Sequence, residues 1–269
     1  MNAPDKFLLP DVQAIVDTRS LAIDRVGVKS VMYPMSIRTA SGQTQRTVVT
    51  ADMFVGLPKE AKGTHMSRFL EVLAEQRAAL DPAGCRLLVE RMLERLGADT
   101  GSIELSFPFF TRKRAPVSGV ESLLDHRVVM RGEITRANGY RLTLTAAVAA
   151  TSLCPCSKEI SAYGAHNQRS LITIRAQVTD TVSIEDLIAI AEEEASCQVY
   201  GLLKRPDEKW VTERAYDNPK FVEDLVRDIA LRLDGHEGVP AYSVAAENFE
   251  SIHNHSAYAL IERDADHTV

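Results

Sequence analysis

Apolar and polar positions alternate along the chain in a way that separates predicted strands from predicted helices. Stretches rich in β-branched side chains, which we predict to be strands, are 31–39, 44–55, 102–110, 123–133, 140–150, 171–178, 241–246 and 256–261. Apolar side chains recur at helical spacing in 67–80, in 82–96, from 183 to about 198, and from 218 onwards. Ser41-Gly42 and Asn138-Gly139 are typical of hairpin turns, and Gly97 is typical of a helix end.

The predicted elements repeat one order along the chain. Strand-strand-helix-helix-strand-strand occurs twice, and the two copies divide near residues 135–140. This order predicts an α+β fold of two tandem β-β-α-α-β-β modules, with antiparallel sheets each backed by a helix pair. We therefore expect an irregular lead-in over 1–30, a first module over 31–137 and a second over 138–269, joined in one compact bimodular unit.

Composition and charge exclude several classes of protein. The chain has 269 residues, of which 45% are hydrophobic and 25% are charged, as in an ordinary globular protein. Thirty-one basic residues against thirty-seven acidic ones give a net charge of −6, which argues against a general binder of nucleic acids or membrane surfaces. No apolar run approaches the roughly 18 residues of a membrane span, and the first ten residues lack a signal-peptide core. The sequence therefore predicts a cytoplasmic protein.

An unusual thiol cluster is the first candidate for chemistry. Cys154 and Cys156 flank a proline, with Lys158 and His166 nearby, and thiolates bind metals or act as nucleophiles. The alternative interpretation is a loop with two buried cysteines that act as small hydrophobic residues. The other two cysteines, Cys85 and Cys197, fall in predicted helices, and we interpret both as structural.

Further reactive side chains occur in three other segments. If 248–255 is extended, His253 and His255 lie on one side of a strand; the alternative is an exposed surface pair. The segments 198–209 and 218–224 carry carboxylates and cations, and 109–119 has three consecutive cations that suit an anion such as a phosphate chain. Charged stretches of these kinds are often only solvated loops.

Common nucleotide and metal motifs are absent from the sequence. It contains no G-x-x-x-x-G-K-[ST] phosphate loop, no G-x-G-x-x-G turn, no H-E-x-x-H helix and no nucleobase-deaminase zinc pattern. Thiol, imidazole and carboxylate groups in separate loops indicate instead a mononuclear site assembled by the fold. Mixed ligands of this kind suit zinc, and a catalytic zinc keeps one position for water.

Seven segments, taken together, resemble one family. They are GTHMSRF (63–69), FPFF (107–110), APVSG (115–119), SLCPCSKE (152–159), GAHNQRS (164–170), YGLLKRPDE (200–208) and NFESIHNH (248–255), and LPDVQ (9–13) extends the match. In this order they resemble the prokaryotic type IB GTP cyclohydrolase I. The resemblance implies a tunnelling fold and a homotetramer with active sites at subunit interfaces. It also implies conversion of GTP and water to 7,8-dihydroneopterin triphosphate and formate, with one divalent metal, zinc or manganese, per site.

The resemblance also implies roles for individual residues. Cys154, Glu208 and His253 are the expected metal ligands, with His166 a ligand or next to the metal. Cys156 is the expected proton donor or acceptor, His255 a further acid or base, and Cys154 counts among the catalytic residues through the metal. Glu223 is expected to bind the guanine edge, and Glu250 to orient His253. The cations expected to bind the triphosphate are Arg68, Arg112, Lys113, Arg114 and Lys204.

Two other functions remain compatible with these residues. A related tunnelling-fold enzyme uses a cysteine nucleophile on a purine-like nitrile and reduces it with a nicotinamide cofactor, and such an enzyme needs no metal. A non-enzymatic metal or redox module built on Cys154-Pro155-Cys156 is the third hypothesis.

Overall fold

One antiparallel sheet extends through both halves of the chain. The computed structural model describes residue 13 and residues 15–264. Within these residues the strands are β1 (Ile23–Arg38), β2 (Thr44–Leu57), β3 (Gly101–Arg114), β4 (Glu121–Thr135), β5 (Gly139–Leu153), β6 (Asn167–Val178), β7 (Cys197–Gln198), β8 (Ala241–Phe249) and β9 (Ser256–Arg263). Their order in the sheet is β1-β2-β3-β4-β5-β6-β8-β9, and the short β7 pairs with β5. Within the described chain, β1 and β9 are therefore the edge strands at the two ends of this order.

Helices accompany this sheet, and most of them pack against it in one core. They are α1 (Met66–Glu75), α2 (Pro82–Leu96), α3 (Pro155–Ile160), α4 (Ile184–Glu194), α5 (Arg205–Asp217) and α6 (Val222–Asp234). Strand side chains alternate between buried and more exposed positions, and in β5 the buried ones include Leu144 and Val148. They share one apolar core with helix residues such as Leu88, Leu187 and Ile229. None of the helices in the described part of the chain is long and apolar enough to cross a bilayer.

The element order agrees with the duplicated pattern in the sequence. The first half is β-β-α-α-β-β, and the second half has the same order with α3, β7 and α5 added. The α+β class and the two tandem modules are therefore confirmed. The two predicted sheets form a single sheet, however, because β4 and β5 pair across the hairpin at Gly139. The domain boundary between 137 and 138 stays a prediction.

The predicted irregular lead-in over 1–30 is partly wrong. Strand β1 begins at Ile23, and residues 1–12 and 14 lie outside the described residues, as does most of the LPDVQ segment. Two register shifts interrupt β1 before Val31, and Ser30 has a positive φ of 57°. These irregularities break the two-residue period of the strand, and this is why the alternation becomes visible only from residue 31.

Two helices end earlier than their apolar pattern predicts. Helix α1 ends at Glu75, because Leu80 instead bonds to the β1 backbone, donating to Ser36 O at 2.7 Å. Helix α4 ends at Glu194, and Cys197 lies in β7 rather than in a helix. The assignment of Cys197 to a helix was therefore wrong, although this cysteine is buried, as is Cys85 on α2.

The charged stretch after residue 204 was predicted to be a loop and is helix α5. Its sequence offers only a short apolar face, mainly Val211 and Ala215, so a search for an amphipathic stripe does not find it. Asn218, predicted to begin the following helix, is instead the C-cap residue of α5. Helix α6 begins at Val222, after its N-cap residue Phe221.

Candidate active site

The Cys154-Pro155-Cys156 segment connects the end of β5 to the short helix α3. Cys154 is the N-cap residue, and its Sγ accepts a hydrogen bond from Ser157 N at 3.5 Å. Pro155 occupies the first helical turn, where its missing N–H costs no hydrogen bond. Cys154 is half-buried and Cys156 is exposed. The predicted loop is therefore a helix start, which fixes the position of one thiol and leaves the other accessible.

Ser157 and the backbone hold Cys154 beside His166. Cys154 N donates to His166 O at 3.2 Å, across the base of the loop that contains α3. Ser157 Oγ accepts from His166 N and donates to Cys154 O, each at 3.2 Å. Two of the four predicted metal ligands are thus adjacent in the backbone.

Side chains from β6 and from the end of β8 meet at the His166 ring. Its Nδ1 lies 3.0 Å from Gln168 Oε1 and 3.3 Å from Ser251 Oγ. Gln168 Nε2 in turn lies 3.4 Å from Glu250 Oε1. The segments 164–170 and 248–255, far apart in sequence, are therefore neighbours, as a shared site requires. The predicted action of Glu250 on His253 stays a prediction.

His253 and His255 lie side by side in the connection between β8 and β9. Both are exposed, and their rings stack with centroids 5.2 Å apart and planes 15° apart. Residues 251–255 form a bend and not the extended strand considered as one possibility from the sequence, because β8 ends at Phe249. The loop brings the two imidazoles together, and their roles toward metal and substrate stay predictions.

Glu208 lies in the first turn of α5, which packs against the end of β5. Val211 and Ala215 follow Glu208 by three and seven residues, so the three side chains share one face of the helix. Ala215 and Val211 pack with Leu153 and Ala165, next to the two adjacent candidate ligands. Glu208 itself is exposed. Helix α5 therefore directs the face that carries Glu208 toward the Cys154 region.

Asp207, which sequence reasoning did not select, is a buried anchor of this helix. Its carboxylate accepts hydrogen bonds from Val117 N, Ser118 N and Lys204 N, each at 2.8 Å, and from Ser118 Oγ at 2.6 Å. Burial alone raises the pKa of this carboxyl, but the hydrogen bonds from Ser118 and the other donors outweigh it and hold the pKa well below its ordinary value. The carboxylate joins the APVSG segment to α5.

We expect Asp207→Asn to destabilise the protein at neutral pH and to do so less in acid. The pKa of the carboxyl is lower in the folded than in the unfolded state. Its stabilisation is therefore fully present above the ordinary pKa of 3.8 and is lost as pH falls through the folded value. Urea unfolding of wild type and variant between pH 7 and pH 3 measures the difference. Asp217→Asn, on the exposed end of the same helix, is the control, and an Asp207 variant as stable as wild type at pH 7 would contradict the anchor.

The cations predicted to bind the triphosphate occupy different environments. Lys113 is buried, and its Nζ lies 2.6 Å from both Glu192 Oε2 and Gln198 Oε1. Burial and the charge of this ammonium lower the pKa of His126 to about 4. By contrast, Arg112, which pairs with Glu121 at 2.9 Å, is exposed, as are Arg114 and Lys204. Arg68 donates to Arg95 O at 3.3 Å. All five assignments stay predictions.

We expect Lys113→Met to lower the free energy of unfolding by about 3–5 kcal/mol, because it leaves the Glu192 charge buried without its partner. The two side chains are only 9% and 8% exposed. The double variant K113M/E192M removes both charges and should recover most of that loss, as denaturant unfolding would measure. If Lys113 also binds triphosphate, the double variant should regain stability but still show a higher KM for GTP than wild type. A stable Lys113→Met single variant would refute the buried pair.

The described residues contain no group of three or more His, Cys, Asp or Glu side chains that could hold a metal ion. Cys154 and His166 are adjacent, whereas Glu208 and His253 are exposed. Glu223, predicted to bind guanine, is also exposed, in the first turn of α6. The donor types still suit zinc or manganese, since thiolate, imidazole and carboxylate are ordinary ligands of such ions. Within the described part of a single chain, only some of the predicted ligands are adjacent, and the others are exposed to solvent.

Solved structures with the same architecture define the fold class. A uricase from Arthrobacter globiformis has a TM-score of 0.52 at 9% identity, covering 91% of this chain and 95% of its own. A uricase from Bacillus fastidious has a TM-score of 0.54 at 11% identity, covering 92% and 94%. At such low identity the likeness concerns the fold alone. The protein has the tunnelling fold of these enzymes, as the sequence resemblance implied.

Sequence relatives define the family. A family described as type I GTP cyclohydrolase FolE2 matches residues 9–259. A protein of Paraburkholderia xenovorans named GTP cyclohydrolase FolE2 is 60% identical over 258 residues, 96% of each chain. GTP cyclohydrolase FolE2 1 of Dechloromonas aromatica is 60% identical over 259 residues, 96% of this chain and 97% of its own. The chain belongs to the type I GTP cyclohydrolase FolE2 family, and the resemblance seen in its motifs is confirmed.

Proposed function

We propose that the protein converts GTP and water to 7,8-dihydroneopterin triphosphate and formate, the first step of pterin and folate synthesis. The observation that carries this proposal is 60% identity, over nearly the full chain, to proteins named GTP cyclohydrolase FolE2. The fold adds support, because it places Cys154 and His166 side by side, with Ser251 next to His166 and Glu250 next to Gln168. The protein is accordingly an enzyme, a GTP cyclohydrolase.

One divalent metal ion, zinc or manganese, completes the proposed site. Its ligands are Cys154, Glu208 and His253, with His166 as a fourth ligand or beside the metal. When bound, such a metal supplies Lewis acidity and lowers the pKa of a coordinated water from 15.7 toward about 7. The hydrogen bond from Ser157 N to Cys154 Sγ supports this assignment, since an N–H donor stabilises a thiolate.

The chain's own acids and bases perform the remaining proton transfers of the proposal. Opening of the purine ring, loss of formate and the later rearrangement all move protons. Cys156 is exposed two residues beyond the proposed metal-binding thiol, which suits a group that must reach the substrate. His255 is a second acid or base, stacked on His253. Each positioned group contributes typically 10²–10⁴-fold to a step. Arg68, Arg112, Arg114 and Lys204 are the accessible cations proposed for the triphosphate.

We further propose a homotetramer with active sites between subunits, in the cytoplasm and without nucleic-acid or membrane partners. Three observations on the described chain support the interfacial site. The candidate ligands Glu208 and His253 are exposed, Glu223 is exposed as well, and no three-donor group forms within these residues. The edge strands β1 and β9 each have one strand neighbour, so both edges are available for pairing between subunits.

Incubation of the purified protein with GTP tests the function. The proposal predicts the fluorescence of oxidised neopterin, its loss after chelation, and its return with zinc or manganese. Activity that survives complete removal of metal and depends on a nicotinamide cofactor and a purine-like nitrile would favour the reductase instead. Metal-loaded protein that gives no product from GTP would favour the metal or redox module and contradict the proposal.

We expect Glu223→Gln to lower kcat/KM for GTP by about 10²-fold or more. A carboxylate accepts hydrogen bonds from both guanine N1–H and the 2-amino group, whereas an amide presents one acceptor and one opposing donor. Hydrogen bonds to a charged group contribute about 1.5–3 kcal/mol each, and 1.4 kcal/mol is tenfold in rate. Asp224→Asn, the next residue of the same helix turn, removes the same charge and is the control. Unchanged kinetics in the Glu223 variant would exclude it from guanine binding.

A further inference from the structure

A buried polar network lies where β5, β6 and β8 end. Gln168 is its centre and is only 7% exposed. Its Nε2 lies 3.4 Å from Glu250 Oε1 and 3.5 Å from Ser152 Oγ, and its Oε1 lies 3.0 Å from His166 Nδ1. Asn248 Nδ2 donates to the same Ser152 Oγ at 3.2 Å. These contacts join three strands beside the candidate metal ligand His166. The proposed reaction assigns no role to Gln168, Ser152 or Asn248.

Glu250 fixes which way the Gln168 amide faces. An ionised carboxylate can only accept hydrogen bonds, so the amide atom that faces Glu250 is the NH₂ group. The carbonyl oxygen of Gln168 then faces His166. That oxygen can only accept, so the Nδ1 atom of His166 must carry the proton. Nε2 of His166 is left with a free lone pair, the form in which a neutral imidazole binds a metal.

We propose that Gln168 is a positioning residue that selects this tautomer of His166 and so makes Nε2 its metal-binding nitrogen. Ser251 Oγ lies 3.3 Å from Nδ1, but a hydroxyl can donate or accept and so does not by itself select a tautomer. Metal-binding histidines commonly donate their other N–H to an acceptor, which fixes the ring and its tautomer. Here a carboxylate acts on the imidazole through an intervening amide. The inference rests on the proposed function, because it takes His166 as a direct ligand.

Gln168→Leu removes the acceptor and keeps a side chain of similar size. We expect zinc affinity to fall 10–100-fold, as for other partners of metal-binding histidines. We also expect ¹⁵N solid-state spectra of histidine-labelled, metal-free protein to show His166 losing its uniform Nδ1–H form, with its signal assigned by comparison with His166→Ala. Gln177→Leu is the matched control. It makes the same change nine residues further along β6, roughly 30 Å away, and should alter neither readout.

A polarity swap keeps the test decisive if Gln168→Leu folds poorly. In Q168E/E250Q the carboxylate is at position 168, next to His166, and the amide is at position 250, where it donates to that carboxylate. The acceptor for the Nδ1 proton of His166 is therefore kept. We expect this double variant to retain the Nδ1–H form and zinc affinity within a few-fold of wild type. The single variant Glu250→Gln removes the constraint on the Gln168 amide and should yield a mixture of tautomers. Loss of zinc affinity in the swap, or an unchanged tautomer in Gln168→Leu, would overturn the inference.

Failure of this inference can be told apart from failure of the proposed function. The tautomer is measured in metal-free protein, and zinc affinity is measured without GTP. If wild-type protein forms product from GTP and Gln168→Leu keeps both zinc affinity and tautomer, only the role of Gln168 is wrong. If wild-type protein forms no product while Gln168→Leu still weakens zinc binding, the positioning role stands and the proposed function falls.

Discussion

Cys154→Ala is expected to lose the bound metal and the activity on GTP together. The thiolate is the strongest donor of the proposed ligand set, and the hydrogen bond from Ser157 N keeps it in place. A catalytic metal contributes several kcal/mol to the stabilisation of charge in the transition state. At 1.4 kcal/mol for each factor of ten, kcat/KM should therefore fall by about 10³-fold or more. Metal content by mass spectrometry and the fluorescence assay for neopterin measure the two losses on the same sample.

Coupling of these two losses is what distinguishes the metal enzyme from its alternatives. In a nitrile reductase, replacing a nucleophilic cysteine would abolish turnover with no metal to lose. Cys154 is half-buried at a helix start rather than in the apolar core, so alanine should not unfold the chain. A Cys154→Ala protein that folds, retains one metal per chain and still opens GTP would contradict the assignment of this residue.

Cys156→Ala has the second largest expected effect, and it should separate metal from turnover. Cys156 is exposed, and we assign it to proton transfer on the substrate rather than to the metal. Loss of a positioned acid or base costs about 10²–10⁴-fold in rate, so kcat should fall by this factor while metal content stays at the wild-type level. Single-turnover kinetics on metal-loaded variant and wild type measure the chemical step directly.

Two results would contradict the role of Cys156. A fully active Cys156→Ala protein would remove its part in proton transfer. A variant that loses its metal as completely as Cys154→Ala would make both thiols ligands. Cys154→Ala serves as the comparison variant, because it changes the same residue type two positions away and is expected to affect both measurements.

Much of the fold could be predicted from the sequence, since most long strands keep a clear two-residue period, whereas the first part of β1 does not. Strand β5 alternates buried and half-buried positions along most of its length, and the hairpin at Gly139 is marked by its turn residues. Helix α5 could not be predicted, because its stability depends on the Asp207 anchor and a short contact at Ala215 rather than on an apolar stripe. Such contacts are long-range, and no local pattern contains them.

The site shows the same division between local and long-range information. The segments that carry Cys154 and His166 are recognisable from their motifs, and the fold places them side by side. Gln168 could have been selected from its spacing, because it lies two residues after His166, and side chains two apart in an extended segment share a face. The pairing of Lys113 with Glu192 could not be predicted from the sequence, because the two residues are 79 positions apart and lie on different elements. A run of three cations does not reveal which of them faces the core.

The most direct test of the central claim is anomalous diffraction from crystals of the assembled, metal-loaded protein. We expect one ion per site, about 2.3 Å from Cys154 Sγ, with imidazole and carboxylate ligands drawn from His166, His253 and Glu208. These ligands come from segments that are distant in sequence and from one or two subunits. A crystal structure in which Cys154 and His253 lie in separate parts of the molecule, with no ion between them, would contradict this proposal.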